Sequence, residues 1–340
     1  MDERKLKILN SIIKSYIESA EPVGSRTLSK DEQIGVSAAT IRNEMSDLEE
    51  LGYLEKVHSS SGRIPSNRAY RLYVNALLAD QIPFRKKVPE LFDMRRIEES
   101  NEFENIISNA TTMLSAITNY TAVGLVPGMA DVYLKHIDVV YLTPRDLVIN
   151  YIYNSKAVKN DVVRLKIPTS FEKIDIVNRV LKSTLVDMRL EDIIDIVHTD
   201  MYKILAAQHE VLHEIIPIIE RTSRDGLEAK VIYEGLGNLY IFNDVTLEEN
   251  QELIRYLKDE NPLKELLASN METDLQIYIG EEIGIKDLAQ HSIITATYRN
   301  MEGLKGKIGV IGRNRMDYEK VISDLAIVTK YINGNINRNV

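Results

Sequence analysis

The sequence predicts an α+β multidomain chain, and three features carry that prediction. Apolar residues recur at helical spacing from the N-terminus to Ala79. From residue 121 the pattern switches to short runs rich in β-branched and aromatic residues. Such runs return after 275, beyond helical spacing between 171 and 267. Strands, a helical interval and strands again suggest one α+β domain interrupted by another. At 340 residues, with 44% hydrophobic residues, two or three folded cores are expected.

Leu6, Leu9, Ile13, Tyr16 and Ile17 predict a first helix that ends before Pro22 and Gly24. Ser25 is placed to cap a short helix from Arg26 to Lys30, and Asp31 to Val36 supply a turn. A third helix opens on Ser37 as N-cap, sets Ala38, Ile41, Met45 and Leu48 on one side, and closes at Gly52, where a left-handed residue is expected. Three helices at this spacing make a tri-helical unit. The opposite side of the third helix is small and polar, with Ala39, Asn43 and Ser46 flanked by Thr40 and Arg42. Asn suits adenine, Arg suits guanine, and a small methyl-bearing side chain suits thymine. Asp47 and Glu50 lie further along that side and would repel phosphates, so the helix is expected to enter a major groove by its N-terminal half.

Residues 56 to 75 contain Lys56, Arg63, Arg68 and Arg71 and no Asp or Glu. A reader helix followed by this basic, hydroxyl-rich loop is the anatomy of a winged helix-turn-helix. The reading assigns base readout to Ser37, Ala39, Thr40, Arg42, Asn43 and Ser46. It assigns the DNA backbone or minor groove to Ser25, Arg26, Lys56, His58, Ser59, Ser60, Ser61, Gly62, Arg63 and Arg68. One short reader helix specifies few base pairs, so a two-fold dimer on two half-sites is expected.

Charge sharpens this reading. The chain carries 42 Lys+Arg against 51 Asp+Glu, a net of −9, so it is no polycation coating DNA indiscriminately. Residues 1 to 75 hold eleven bases and eleven acids, which leaves all the negative excess elsewhere. Phosphate affinity must come from a focused patch and weaken steeply with salt.

Beyond the reader, Ser66 to Ala79 resumes helical spacing, and Pro83 and Pro89 bracket a charged stretch that reads as a linker. Phe103 to Ile117 is a further helix. Thr121 to Val126, Tyr133 to Leu142, Leu147 to Tyr153 and Val162 to Ile167 read as strands. Helices are expected from 171, with a long run from Leu190 to Arg221, then short strands at Ala229 to Tyr233 and Leu239 to Phe242, and helix from Leu247 to Leu267. Strands Leu275 to Ile279, Ser292 to Tyr298 and Lys307 to Ile311 and a helix from Tyr318 to Ile332 close the chain. No run approaches the length needed to span a bilayer, the N-terminus lacks a signal-peptide core, and there are no cysteines, so a cytoplasmic protein without membrane association is expected.

His209-Glu210-Val211-Leu212-His213 matches the zinc pattern H-E-x-x-H. Its extension is absent, since Pro217 and Ile218 stand where Gly and a third His would be near, and Glu228 or Glu234 would have to complete the site. Gly303, Gly306, Gly309 and Gly312 lack the Lys-Ser/Thr of a phosphate loop, and turns around Lys307 to Ile311 account for them. His136, His198 and His291 are scattered, and no Ser/His/Asp arrangement is recognisable. The reading is of a non-enzyme that needs no cofactor.

Glu21-Pro22-Val23-Gly24-Ser25-Arg26, the helix Ser37 to Met45, Gly62-Arg63-Ile64-Pro65 with Tyr70-Arg71 and Tyr73-Val74, and Gly309-Val310-Ile311-Gly312 with Arg315-Met316-Asp317-Tyr318 resemble the HrcA heat-inducible transcription repressors. The likeness runs end to end and departs at Arg313-Asn314, where the family more usually has a Pro-Thr-like pair. It implies a homodimeric repressor on an inverted-repeat operator in double-stranded DNA, the CIRCE element upstream of chaperone genes. It also implies that the GroE chaperonin maintains the active form and that heat relieves repression. For the fold it implies a winged helix-turn-helix domain at 1–80, a linker at 81–100, and a GAF-like domain in two parts, 101–169 and 273–340. An α+β dimerisation domain is inserted between them at 170–272. One rival of the same architecture senses a small molecule through the GAF-like domain, where Val139, Tyr141, Ile149 and Tyr151 line either a pocket or a filled core.

Overall fold

The computed structural model describes residues 1–31, 34–57, 62–79, 103–128, 132–154, 158–199, 210–240, 247–258, 260–299 and 305–336. The expected linker, residues 58–61 of the hairpin loop, His209 and Gly303 lie outside them. The fold is mixed α+β and divides into two compact units.

In the first unit, α1 (Glu3–Ser19) starts where the Asp2 carboxylate accepts from the Lys5 amide at 2.8 Å. It buries Ile8, Leu9, Ile12 and Ile13, while Leu6, Tyr16 and Ile17 are only half-buried. α2 is Ser25–Leu28, capped by Gly24 and not by Ser25, which is its first helical residue. α3 (Ala38–Glu50) begins at Ser37, whose Oγ accepts from the Thr40 amide at 3.2 Å. It ends with Gly52 at φ +76 and the Tyr53 amide bonded back to the Leu48 carbonyl. β1 (Leu54–Lys56) and β2 (Arg63–Pro65) form an antiparallel hairpin, and Val23 adds a bridge to Arg63. α4 (Asn67–Ala79) follows, burying Ala69, Tyr70, Tyr73 and Val74.

The same unit contains a five-stranded sheet. β3 (Thr121–Val126), β7 (Lys230–Glu234), β8 (Leu275–Ile279), β9 (His291–Arg299) and β10 (Lys305–Arg313) take the order β7-β3-β10-β9-β8. β10 pairs antiparallel with both β3 and β9, Gly309 lying opposite Val123 and Thr295. Every residue of β9 from His291 to Tyr298 is buried, so both sheet faces are covered. Leu253 and Leu257 of α9 (Leu247–Lys258) and Leu263 and Leu266 of α10 (Glu260–Ala268) gather with Ile293 and Ile311. α11 (Tyr318–Ile336) packs on β9 with Val321, Leu325, Val328 and Ile332 buried. α5 (Phe103–Thr118) lies so close to β3 that a Cβ at Gly124 would come 2.7 Å from Thr111 Oγ1.

The second unit holds β4 (Leu134–Tyr141), β5 (Asp146–Tyr153) and β6 (Val158–Arg164), an antiparallel sheet of their own. Against it pack α6 (Phe171–Leu185), α7 (Leu190–Val197) and α8 (Glu210–Leu227). Asn178 of α6 exchanges two hydrogen bonds with the Val139 backbone, 2.7 and 2.9 Å, and so occupies the outer edge of β4 as a neighbouring strand would.

The structure departs from the sequence reading in several places. Of the strands expected to belong with 273–340, only β3 does so; β4, β5 and β6 pair with one another instead, and 231–340 falls with Ile107–Leu125. Val139, Ile149 and Tyr151 are therefore packed in the core of the three-stranded unit, with Tyr141 half-buried beside them. Leu239 lies in a 3-10 turn, Leu236–Tyr240, and not in a strand. The run from Leu190 stops at Val197, and the run from Leu247 is two helices. Gly306, Gly309 and Gly312 sit within β10; a Cβ at Gly309 would fall 2.2 Å from the Ile294 carbonyl oxygen, so close strand approach, not a turn, requires glycine there. Among the described residues no helix is long and apolar enough to cross a membrane.

Candidate nucleic-acid interface

α3 presents the face the sequence predicts. Ile41, Met45 and Leu48 are buried at 0–4% exposure, whereas Ala39, Arg42, Asn43 and Ser46 are exposed. Ser37 is exposed and Thr40 half-buried, and their hydroxyls are 3.0 Å apart, so part of their bonding capacity is spent on the cap. Burial of one stripe fixes the helix on α1 and α2 and leaves the small polar stripe outward. Arg42 forms no ion pair among the described residues, and Arg26 of α2 is likewise exposed.

The acids of α3 are held from behind. Lys5 of α1 bridges Asp47 at 2.9 Å and Glu44 at 3.2 Å, and Arg4 adds a 3.6 Å contact to Glu44. Hydrogen bonds donated by Lys5 to Asp47 and Glu44 raise the Lys5 pKa above its ordinary value, so the bridge stays charged. Asp47 is consequently not the isolated repulsive charge expected from its place on the helix.

The hairpin bases are engaged in the same way. Arg63 Nε donates to Glu49 Oε2 at 2.7 Å, and Lys56 Nζ lies 3.3 Å from the other carboxylate oxygen. Burial pushes the Glu49 carboxyl up, but bonds from Arg63 and Lys56 outweigh it and leave the pKa lowered. Arg63 is only 15% exposed, so its first role is to tie the hairpin to α3. Gly62 is buried against Pro22, where a Cβ would fall 2.6 Å from the proline Cβ. Its place in the motif is explained by that approach and not by a phosphate. Arg68 donates to the Leu51 carbonyl at 2.9 Å and stacks over Tyr53 at 4.6 Å, which closes the C-terminal end of α3. That end is about 20 Å from Ser37 on a 13-residue helix. Ser25 is 7% exposed and has little surface to offer a ligand. His58, Ser59, Ser60 and Ser61 lie outside the described residues.

The structure thus gathers Ala39, Arg42, Asn43 and Ser46 on one open face, buries Ser25 and Gly62, and engages Arg63 and Arg68 with α3 and its C-terminal end. Sequence reasoning missed Glu49, whose signal is its spacing of seven and fourteen residues from the two bases it bridges. The zinc pattern gains no support. Glu210 and His213 are exposed on α8, Glu210 lies 3.9 Å from Lys173, and no group of three or more metal-ligating side chains gathers among the described residues.

Comparison with known proteins places this geometry. A family profile described as "HrcA protein C terminal domain" matches residues 104–322. A heat-inducible transcription repressor HrcA from Clostridium tetani is 35% identical over 334 residues, covering 96% of this chain and 93% of its own. One from Clostridium botulinum is 34% identical over 339 residues, with 99% and 98% covered. A hypothetical protein of known crystal structure shares the fold, with a TM-score of 0.72 at 22% identity over 100% of this chain and 99% of that one. Relatives of this kind over nearly the whole chain define a regulator of transcription. The chain belongs to the HrcA family of heat-inducible transcription repressors.

Proposed function

We propose that the protein is a homodimeric repressor of chaperone operons that binds the CIRCE inverted repeat in double-stranded DNA and is released on heat stress. The observation that carries this reading is the exposed stripe Ala39, Arg42, Asn43 and Ser46 standing on the buried stripe Ile41, Met45 and Leu48. In it the N-terminal helices and hairpin are a winged helix-turn-helix; α5, β3 and the described residues from Val231 onward are a GAF-like domain; Val126–Lys230 is the inserted dimerisation domain. The dimer draws support from the inserted sheet. Edge strand β6 leaves Val162 81% and Val158 44% exposed, and Ile152, paired with Val158, is 38% exposed, surface that a second copy would cover.

In operation, the N-terminal half of α3 enters the major groove. Asn43 and Arg42 read base edges, Ala39 and Ser46 allow close approach, and Arg26 with the hairpin loop contacts phosphate. The GroE chaperonin maintains the DNA-competent dimer, and heat diverts it to other clients. The test is a fluorescence-anisotropy titration of the purified protein against a labelled CIRCE-type repeat and a scrambled duplex, at several salt concentrations, with and without GroE. Preference for the repeat, a steep salt slope and a gain with chaperonin are expected. Equal weak binding to both duplexes in every condition would overturn the reading.

A further inference from the structure

The reader meets the five-stranded sheet through directional polar contacts as well as apolar ones. On α4, Asn67 and Arg71 stand one turn apart. Asn67 Nδ2 donates to the Ala289 carbonyl at 3.2 Å, and Asn67 Oδ1 accepts from Asn314 Nδ2 at 2.6 Å. Asn314 also donates to Ala289 at 3.1 Å and accepts at Oδ1 from Ser292 Oγ at 2.8 Å, while Tyr318 Oη donates to its carbonyl at 2.8 Å. Ser292 and Tyr318 are fully buried, Asn314 is 6% exposed, and the Tyr318 ring packs 5.9 Å from that of Tyr70. A turn along α4, Arg71 Nε donates to Glu282 Oε1 at 2.8 Å, its Nη2 donates to Glu282 Oε2, and the same nitrogen reaches the Ile277 carbonyl at 2.6 Å. Glu282 is itself fixed by the Ile279 amide at 2.9 Å. Gly280, at φ +59, leaves room for this contact, since a Cβ there would collide with Asn67.

We propose that Asn67, Arg71, Glu282 and Asn314 are positioning residues for operator recognition: they fix the orientation of the reader on the sheet, and with it the half-site separation that a dimer accepts. This role rests on the operator-binding reading above. An apolar seam tolerates sliding, whereas a forked arginine–carboxylate pair and a buried amide relay specify one geometry. The fixed geometry reaches α3 without a slack joint. Ser66, which precedes α4, donates to the Gly52 carbonyl at 2.8 Å, and Arg68 of α4 holds the Leu51 carbonyl at the end of α3. None of the four residues belongs to the exposed face of α3. Asn314, where the sequence departs from the pattern it otherwise resembles, is the hub of the relay.

The test measures the affinity of the full-length protein for inverted repeats of graded half-site separation and for a scrambled duplex. Asn314→Ala, Glu282→Gln, Glu282→Arg and the charge swap Arg71→Glu with Glu282→Arg are compared with wild type. The wild type should prefer one separation. Asn314→Ala and Glu282→Arg should lose about tenfold at that separation and flatten the profile, with scrambled-duplex affinity unchanged, and the swap, which restores the ion pair but not the bonds to the Ile277 carbonyl and the Ile279 amide, should recover part of the peak. A sharp wild-type profile that survives in both single variants would overturn the positioning role alone. A wild type with no preferred repeat would overturn the operator reading and this role with it. Isosteric Glu282→Gln carries the measurement if Glu282→Arg melts too low to assay; an unaltered profile in that variant counts against the role.

Discussion

Replacing Arg63 by alanine separates a charge that holds the hairpin from a charge that holds DNA. Arg63 is 15% exposed and donates to Glu49 at 2.7 Å, while Lys56 sits 3.3 Å from the other oxygen of that carboxylate. A hydrogen bond to a charged group contributes about 1.5–3 kcal/mol. Losing it should speed hydrogen exchange at amides of α3 and the hairpin roughly 10- to 150-fold where exchange follows opening of that region. A phosphate contact would have another signature: removing one flattens the slope of log affinity against log salt by about 0.9. With Arg63 committed to Glu49, the change in slope should be well below that figure. Glu49→Gln offers the converse, since it releases both bases and should tighten binding to any duplex by about 1 kcal/mol, near fivefold. Exchange rates at wild-type levels in Arg63→Ala, together with a slope flattened by a full contact, would refute the argument.

Three further outcomes follow from the same geometry. Asn43→Ala should lose about 1–3 kcal/mol on the operator and little on random DNA, and equal losses on both in parallel titrations would sink its base-reading role. Gly62→Ala must push Pro22 away and strain the Val23–Arg63 bridge, so a loss of about 1–3 kcal/mol is expected in urea unfolding followed by exchange at the hairpin amides. Lys307, 1% exposed on β10 and bonded to the Ser269 carbonyl and Gln276, has its pKa pushed down to about 8 by burial. The unfolded chain keeps that proton to a higher pH than the folded one, so this group adds stability as pH rises from about 8 toward its ordinary value. Lys307→Met should remove that part of the rise in melting temperature between about pH 7.5 and 9.5; identical pH responses in the two proteins would contradict it.

What could be read from sequence was local. The Ser37 cap, the α3 stripe and the left-handed Gly52 are fixed by neighbours within a turn or two, and each stands where the pattern put it. Ser25 misled because the cap is decided by backbone angles, and Gly24 at φ −98, ψ 150 already occupies that position. The partners of the basic residues could not be read for a different reason. An acid-free stretch looks unneutralised when its partners, Glu49, the Leu51 carbonyl and Glu282, lie outside it on other elements. Alternation identifies β4 and β5 as strands, but the side-chain period says nothing about which strand pairs with which, so their pairing with β6 and not with the strands after 275 emerges only in the fold. The glycines of β10 read as turn residues in sequence because the approach of the Tyr298 side chain and the Ile294 carbonyl of β9 is invisible until the fold is built.

The placement of charge argues for entry by the N-terminal half of α3 more strongly than composition does. Three acids of the helix, Glu44, Asp47 and Glu49, are matched by bases from α1 or the hairpin, so the back of the helix carries little uncompensated field and Glu50, exposed at its C-terminal end, is the acid that still opposes phosphate there. What remains outward near its start is Arg42, with the amide groups and positive dipole end of the helix beyond Ser37. A reader neutralised this way, in a chain of net charge −9, has weak attraction for arbitrary duplex. On the proposed reading its affinity is made up by groups that also discriminate, Asn43 and Arg42 against base edges, and a second copy held at the right distance multiplies that discrimination. On the proposed reading, loss of the dimer or of the docking at Asn67 and Arg71 should therefore release the operator even with every base-reading side chain intact.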